Sequence, residues 1–198
     1  MEEKITCGLD EAGRGPLAGP VTAGCAVLPG DFPREVLGDS KVLTARQREK
    51  AFALIQERAY WGLGWCDPEE IDRINILQAS LLAMTRAFED LCHRFPGLVI
   101  HGAVADGLHR PSLPIPCLAL VRADSLEPCV SAASILAKVA RDRFMEAAHA
   151  EDGRYGFDVH KGYPTLAHRR ALAEHGPGPL HRVTFRWKLP ESVISAGN

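Results

Sequence analysis

The sequence lacks any apolar run of the roughly 20 residues that a membrane-spanning helix requires. Its first residues, MEEKITCG, are acidic and contain no apolar segment of the kind found in secretory signals. The six cysteines form no CxxC pair, which argues against a zinc site and against a disulfide framework. Internal repeats and low-complexity segments are also missing. These absences predict a cytoplasmic protein with reduced thiols and no membrane association.

What the chain does contain is the composition of an ordinary globular domain. It has 198 residues, of which 46% are hydrophobic and 24% are charged, so it is long enough to bury a core. We therefore expect a single domain over residues 1–198. From about residue 150 onward, short helical pieces alternate with Gly/Pro breaks and predict a small C-terminal region.

Charge is distributed unevenly, although the formal net charge is only −2. Residues 138–188 contain ten Lys and Arg against six Asp and Glu, together with five of the eight histidines. The rest of the chain contains 13 Lys and Arg against 19 Asp and Glu. On charge alone this pattern favours a mixed solvated surface, and the alternative is an acidic centre beside a basic flank that holds cations and a polyanion together.

Periodicity and turn signals predict an α/β protein. A capping box at Thr44 and Gln47 opens one predicted helix, and Asp67 followed by Pro68 opens a second. A continuous apolar stripe predicts that this second helix continues without a break to residue 95. The predicted strands are 4–10, 21–28, 60–66, 98–107 and 115–124, and the predicted helices are 44–59, 67–95 and 131–150.

Acidic residues mark the ends of three predicted strands. Asp10, Asp106 and Asp124 each end a strand, and Glu11 adjoins the first of them. Strand ends are where α/β proteins place their ligand sites, and converging carboxylates repel one another unless a cation neutralises them. Mg²⁺ and Mn²⁺ prefer oxygen ligands, and two such ions about 3.5–4 Å apart are the usual device for hydrolysing phosphodiesters. The alternative is that these acids are ordinary turn or capping residues.

Asp10 and Glu11 pose a geometrical problem, because neighbouring residues of a strand point to opposite faces. Both side chains reach one site only if the following glycine-rich turn begins directly at them. Otherwise Glu11 contributes partly through its backbone carbonyl.

Other chemistry-bearing residues lack the partners that a different activity needs. GRGPLAG is not followed by the Gly-Lys-Ser/Thr of a Walker loop, and Pro16 is incompatible with a dinucleotide fingerprint. Ser125 and Ser134 have no evident His/Asp partners for a serine hydrolase. Asp142 is a rival fourth acid, but its place in a helix between two arginines predicts an ion pair. Four histidines without metal-ligand spacing are expected to supply one or two phosphate contacts at most: His160, His168, His175 and His181.

Six segments, in order, resemble the type 2 ribonuclease H (ribonuclease HII) family. GLDEAGRGPLAGPV is similar to its N-terminal signature, GDSKVLTARQRE to its DSK segment, and EIDRINILQASLLAM to its central helix. The later blocks follow in the same order, as VADG, RADSLEPCVSAASILAKVARDR and HKGYPTLAHRRALAEHGPGPLHRVTF. The resemblance covers roughly residues 4 to 188.

The resemblance implies a ribonuclease H-like fold, which is a mixed five-stranded sheet flanked by helices with a small helical, substrate-binding C-terminal region. It implies cleavage of the RNA strand of RNA/DNA hybrids, and cleavage 5′ to a single ribonucleotide embedded in duplex DNA. The products carry 3′-hydroxyl and 5′-phosphate ends, and the reaction requires Mg²⁺ or Mn²⁺. No obligate protein partner is evident.

The resemblance also assigns roles residue by residue. The four catalytic, metal-binding acids fall on positions already singled out: Asp10, Glu11, Asp106 and Asp124. The substrate-binding positions are Gly13, Arg14 and Gly15 on the junction ribonucleotide and Tyr163 on the neighbouring deoxyribose. Lys41, in the DSK segment, is a candidate phosphate contact, and the alternative is that it is an ordinary surface lysine. Glycines let backbone groups approach a sugar closely, and the 2′-hydroxyl distinguishes RNA from DNA there.

Two departures from the family pattern and two rival functions remain. Arg122-Ala123 precedes Asp124 where the family more often has Lys-Gly, and Pro164 follows Tyr163 where glycine is common. A related two-metal nuclease of the same fold would keep the acids without needing Gly-Arg-Gly or Tyr163. A non-catalytic hybrid-binding module would be expected to lose at least one acid, and this chain keeps all four.

Overall fold

A mixed five-stranded sheet forms the centre of the computed structural model, which describes residues 4–37 and 43–188. Its strand order is β3-β2-β1-β4-β5. The β1–β2 and β2–β3 pairs are antiparallel, whereas β1–β4 and β4–β5 are parallel. The strands are β1 (Thr6–Ala12), β2 (Val21–Val27), β3 (Tyr60–Cys66), β4 (Gly102–Asp106) and β5 (Cys117–Leu120). The predicted mixed sheet of five strands is confirmed.

Six α-helices accompany the sheet in the described part of the chain. They are α1 (Ala45–Arg58), α2 (Pro68–Ile74), α3 (Ile76–Arg94), α4 (Pro128–Glu151), α5 (Phe157–His160) and α6 (Leu166–His175). The capping boxes predicted at Thr44 and Asp67 both form, each with reciprocal side-chain and backbone hydrogen bonds. None of the described helices is long and apolar enough to cross a membrane.

The prediction of one unbroken helix over residues 67–95 was wrong. The chain breaks between α2 and α3 at Asn75, which has a φ of 67°. The Asn75 side-chain oxygen accepts hydrogen bonds from the N–H groups of Leu77 (3.0 Å) and Gln78 (3.1 Å), and so caps α3. Asparagine tolerates this left-handed backbone, and the apolar stripe continues through the break, so periodicity alone did not reveal it.

Two strand boundaries near the acids also differ from the prediction. The strand expected to end at Asp124 ends at Leu120, and Asp124 lies in a 3₁₀ turn formed by Ala123–Ser125. The first strand, β1, continues through both Asp10 and Glu11 to Ala12, so the glycine-rich turn begins after the acidic pair. Asp106 does end its strand, as predicted.

Helices cover both faces of the sheet. On one face α3 packs against β2 and β3, and its buried Met84 and Leu91 belong to the same apolar cluster as Leu9 and Cys25. On the other face α4 packs against β1 and β2, and α1 packs on α4. A third apolar cluster joins the C-terminal region to the loop after β1, through Leu17, Met145, Tyr155, Phe157 and Leu172. All six cysteines are free thiols, as expected.

Candidate active site

A cavity of about 220 Å³ opens at the end of β1. Three of the four predicted acids, Asp10, Glu11 and Asp106, contribute to its wall. The remaining lining residues come from the end of β1 and the loop after it, from α4 and from the C-terminal region: Ala12, Gly13, Arg14, Gly15, Ser134, Lys138, Arg141 and Tyr163. The site therefore joins distant parts of the chain, and it includes every predicted substrate-binding residue except Lys41, which lies outside the described residues.

The sheet topology explains why these carboxylates meet. The parallel β1–β4 ladder ends at Leu9 and Ala105, so Asp10 and Asp106 follow it side by side at the same edge of the sheet. Beyond this point β1 has no neighbour on the β4 side, because the β4 strand ends at Asp106. The open edge leaves room for Glu11 to reach the same cavity as Asp10. This resolves the expected conflict between their opposite strand faces without a turn at the acidic pair.

Burial and mutual repulsion disfavour charge on this acidic pair. Asp10 is only 6% exposed, and this burial, the Glu11 charge and the Asp106 charge raise the pKa of Asp10 well above its usual range. Hydrogen bonds from the Ser134 hydroxyl and, at 2.7 Å, from the Glu11 N–H act in the opposite direction. Burial also raises the pKa of Glu11, although Arg14 at 3.2 Å from its Oε1 opposes the shift. A site built this way favours a cation or a proton between its carboxylates.

Asp124, the fourth predicted acid, does not line the cavity. It is buried, with 9% exposure, in the 3₁₀ turn beside it. The Ala123 N–H donates to Asp106 Oδ1 at 2.7 Å, so this turn is tied directly to a cavity carboxylate. The left-handed residue here is Arg122, with a φ of 59°, so alanine replaces the family glycine at Ala123 without a left-handed backbone.

The donor set of the cavity fits a hard divalent cation. All three acids offer carboxylate oxygens, and the adjoining acidic residue Asp124 would add the same donor type. Within residues 4–37 and 43–188, no group of three or more Asp, Glu, His or Cys side chains is already arranged to bind a metal ion. The acids thus line one cavity without forming a complete coordination site. A bound divalent ion would relieve their mutual repulsion.

The two glycines beside Arg14 serve different purposes. Gly13 has a φ of 98°, and a methyl group built on it would stand 2.1 Å from Arg141 Nε. The fold itself therefore requires glycine at position 13. A methyl group on Gly15 would stand 3.6 Å from Tyr163 Cε1, which is ordinary contact, so the fold does not require glycine there. Gly15 instead keeps the space in front of Tyr163 open.

Tyr163 lines the same cavity as the acids and is 43% exposed. Its segment is attached to the glycine-rich loop by a hydrogen bond from the Leu17 N–H to the Gly162 carbonyl, at 2.8 Å. The Tyr163 carbonyl accepts from the Thr165 N–H at 2.8 Å, directly after Pro164. An exposed ring on a fixed backbone suits contact with a flat partner.

Sequence reasoning missed three cavity residues on α4. Ser134, Lys138 and Arg141 are spaced i, i+4 and i+7, which places them on one face of the helix. Polar residues at this spacing in an alanine-rich helix were the available signal. Asp142, the rival fourth acid, forms an ion pair with Lys138 at 2.7 Å. The expected ion pair of Asp142 is confirmed, although its partner is Lys138 instead of a neighbouring arginine.

Three of the four singled-out histidines are buried and use their ring nitrogens within the protein, and only His175 is exposed. The expectation of one or two phosphate contacts at most among the four stays a prediction. The Gly178 N–H donates to His181 Nδ1 at 2.9 Å, which requires the His181 proton to be on Nε2, 3.0 Å from His168 Nε2. His168 then donates from Nδ1 to the Tyr163 carbonyl at 3.0 Å. Burial lowers the pKa of His168 to about 4 and also lowers the pKa of His160 and His181. These neutral side chains support the backbone of Tyr163.

The chain is similar to known ribonucleases over nearly its whole length. A family model described as Ribonuclease HII matches residues 7–188. A ribonuclease HII from Polynucleobacter necessarius subsp. necessarius (strain STIR1) is 52% identical over 192 residues, or 96% of this chain and 97% of the relative. The crystal structure of ribonuclease H2 from Pyrococcus horikoshii OT3 has a TM-score of 0.69 at 27% identity, covering 97% of this chain and 98% of that one. A Mn²⁺ complex of Bst-RNase HIII has a TM-score of 0.73 at 18% identity, covering 92% and 67% respectively, and it shares the fold.

Proposed function

The chain belongs to the ribonuclease HII family, and from this we propose that the cavity at the end of β1 is its active site. The protein is a metal-dependent endoribonuclease that cleaves RNA in RNA/DNA hybrids and at ribonucleotides embedded in DNA. One observation carries the proposal: Asp10, Glu11 and Asp106 line the same cavity as Gly15 and Tyr163. The cavity thus combines carboxylates that would hold metal ions at the phosphate with residues that would contact the sugar.

Asp10, Glu11 and Asp106 would hold divalent cations, Mg²⁺ or Mn²⁺, with Asp124 as the fourth acid. A bound pair of such ions supplies an activated water and charge neutralisation at the phosphodiester. The protein contributes orientation: the Ser134 hydroxyl and the Glu11 N–H hold the Asp10 carboxylate, and the Ala123 N–H holds that of Asp106. Because Ala123 adjoins Asp124, the same contact ties the fourth acid to the cavity.

Gly13, Arg14, Gly15 and Tyr163 would recognise the junction between a ribonucleotide and DNA. The space in front of Gly15 would receive the ribose, and Tyr163 would pack on the neighbouring deoxyribose, whose 2′ position carries no hydroxyl. The cut would then fall 5′ to the ribonucleotide and leave 3′-hydroxyl and 5′-phosphate ends. Lys41 is proposed as a further phosphate contact, outside the described residues.

The substrate is proposed to extend over the basic C-terminal part of the molecule. Residues 138–188 carry the surplus of Lys and Arg, and they also supply Tyr163 and the α4 wall of the cavity. Residues 1–198 would act as a single nuclease domain, in which the region from about 150 onward binds duplex. No obligate protein partner is proposed, and the cytoplasmic location stays a prediction.

The two rival functions are set aside because the chain belongs to a family of ribonucleases that act on these substrates. A related two-metal nuclease would have no use for Gly15 and Tyr163 beside the acids. A non-catalytic module would have no reason to keep buried, mutually repelling carboxylates, which cost stability.

Isosteric Asp→Asn substitutions test the assignment of the acids. Asp10→Asn and Asp106→Asn keep side-chain size but remove ligand charge, so each should lower kcat by orders of magnitude in a folded protein. Asp142→Asn is the matched control, since it removes only the ion pair with Lys138 and should cost little activity. Loss of activity in Asp142→Asn together with full activity in Asp124→Asn would show that the fourth acid is misassigned.

A further inference from the structure

Among the described residues, no carboxylate forms an ion pair with two buried arginines beneath the active-site loop, although Asp142 and Asp72 act on them from a longer distance. Arg141 is 1% exposed and Arg182 is 2% exposed. In the part of the chain that the structure describes, every hydrogen bond of their guanidinium groups goes to a backbone carbonyl. An unpaired buried charge is costly, and a hydrophobic residue would fill a core position at lower cost. Packing alone therefore does not account for two buried arginines at these positions.

Arg182 contacts four carbonyls of the loop that follows β1. Its Nη2 donates to Gly13 (2.6 Å) and Gly19 (2.8 Å), and its Nη1 donates to Arg14 (3.0 Å) and Pro16 (2.8 Å). Its Nε donates to Gly19 again, at 3.0 Å. The planar, forked guanidinium group is suited to holding several carbonyls in one fixed arrangement. The Arg182 side chain thus fixes the backbone path of the loop after β1.

Arg141 connects the same loop to the segment that carries Tyr163. Its Nε donates to the Pro20 carbonyl at 2.9 Å and its Nη2 to the Ala18 carbonyl at 3.0 Å. Its Nη1 donates to the Lys161 carbonyl at 3.0 Å, two residues before Tyr163. The loop after β1 and the segment of Tyr163, which both line the cavity, are therefore tied to one guanidinium group.

The carbonyl directions determine where the loop N–H groups point. No peptide bond in the described chain is cis, so each N–H is opposite to the carbonyl of the preceding residue. Because the carbonyls of Gly13 and Arg14 face Arg182, the N–H groups of Arg14 and Gly15 point away from it. Neither N–H donates to any described residue, and both residues line the cavity. They are two free donors for an oxygen of the substrate.

We infer that Arg141 and Arg182 are positioning residues for substrate recognition, which fix the free N–H groups of Arg14 and Gly15 opposite Tyr163. The inference rests on the proposed function and deepens it. Arg182 does not line the cavity, and Arg141 lines it but is only 1% exposed, with its guanidinium nitrogens donating to backbone carbonyls. Both arginines act through the loop. Burial and the nearby Arg141 lower the pKa of Arg182 to about 9, so the group stays charged at neutral pH.

Arginine-to-lysine variants test this role, because lysine keeps the charge but cannot hold several carbonyls at once. The measurements are kcat/KM on a DNA duplex with one ribonucleotide, the inhibition constant of the all-DNA duplex of the same sequence, and Mn²⁺ affinity by calorimetry. For Arg182→Lys and Arg141→Lys, kcat/KM should fall about 100-fold, the size expected when reacting groups are misplaced by about 1 Å. The inhibition constant and the Mn²⁺ affinity should change little.

Arg86→Lys is the matched control. Arg86 also donates to a backbone carbonyl, that of Trp65 at 2.6 Å, but its main partner is the Glu70 carboxylate, and it does not line the cavity. This variant should lose stability without losing preference for the ribonucleotide duplex. Wild-type kcat/KM in Arg182→Lys, or a parallel loss of all-DNA binding, would overturn the inference.

A second measurement does not depend on either lysine variant folding. In the Asp106→Asn protein, amide NMR signals of Arg14 and Gly15 should shift when the ribonucleotide duplex is added, and shift less with the all-DNA duplex. Equal shifts with both duplexes would overturn the inference. If the wild-type protein itself fails to cut the ribonucleotide duplex, the proposed function fails instead, so the two failures are distinguishable.

Discussion

Replacing either glycine of Gly13-Arg14-Gly15 by alanine should separate stability from activity. At Gly13 the φ of 98° strains any other residue, at a cost of about 1–3 kcal/mol. The added methyl group would also stand 2.1 Å from Arg141 Nε and displace a buried guanidinium group. Each hydrogen bond to a charged group that is lost costs about 1.5–3 kcal/mol. Gly13→Ala should therefore destabilise the protein by about 3–5 kcal/mol.

Gly15→Ala should leave stability unchanged or slightly improved. Gly15 is outside the left-handed region, and its new methyl group would meet Tyr163 Cε1 at 3.6 Å, an ordinary contact. Glycine-to-alanine changes at compatible positions stabilise by about 0.4–1 kcal/mol through the unfolded chain. The methyl group would, however, fill space that the proposed function reserves for the ribose. We expect a loss of at least about 10-fold in kcat/KM, because the substrate is held away from its reactive position.

Thermal unfolding and steady-state cleavage of a single-ribonucleotide duplex measure the two effects on the same samples. For a chain of this length each kcal/mol corresponds to about 2–4 °C in Tm, so Gly13→Ala should lower Tm by about 10 °C. Gly15→Ala should keep the wild-type Tm. The reasoning is refuted if Gly15→Ala cuts as well as the wild type, or if Gly13→Ala is as stable as the wild type.

Three further predictions follow from the acids and from Tyr163. The raised pKa values of Asp10 and Glu11 mean that the folded protein keeps protons which the unfolded chain releases, so metal-free stability should fall as pH rises through those pKa values. The Mg²⁺-induced rise in Tm should accordingly be larger at about pH 8 than at about pH 5, and an equal rise would contradict this linkage. Ser134→Ala removes a hydrogen bond that lowers the pKa of Asp10, so the acid limb of the kcat–pH profile should move to higher pH; an unmoved limb would mean that Asp10 does not control it. Tyr163→Ala should lower kcat/KM more on a single embedded ribonucleotide than on a long hybrid, and an unchanged ratio would make the tyrosine ordinary packing.

Local sequence signals predicted the sheet and the position of most acids. Apolar segments bounded by Gly, Pro and Asp located all five strands, and Asp106 ends its strand as expected. The break at Asn75 was not predictable from periodicity, because the apolar stripe crosses it unchanged. The early end of β5 at Leu120 and the turn around Asp124 were missed for a related reason: an apolar run does not show where pairing with a neighbour stops.

The walls of the cavity depended on contacts between distant segments. Arg182 reaches the carbonyl of Gly13 across 169 positions of the chain, and Arg141 reaches Pro20 across 121. Sequence spacing carries no information on such pairings. The family resemblance supplied Gly15 and Tyr163, but the structure distinguishes Gly13, which the fold requires, from Gly15, which it does not.

The most direct test of the proposed active site is to map the ends produced from a DNA duplex that carries one ribonucleotide. With Mg²⁺ or Mn²⁺ present, the account predicts a single cut 5′ to the ribonucleotide, leaving a 3′-hydroxyl and a 5′-phosphate, and no cut in excess chelator. Undiminished cutting in chelator would contradict it, because the carboxylates would then not work through a bound metal ion. A product ending in a 2′,3′-cyclic phosphate would also contradict it, because the ribose 2′-hydroxyl and not a water molecule would then attack the phosphate.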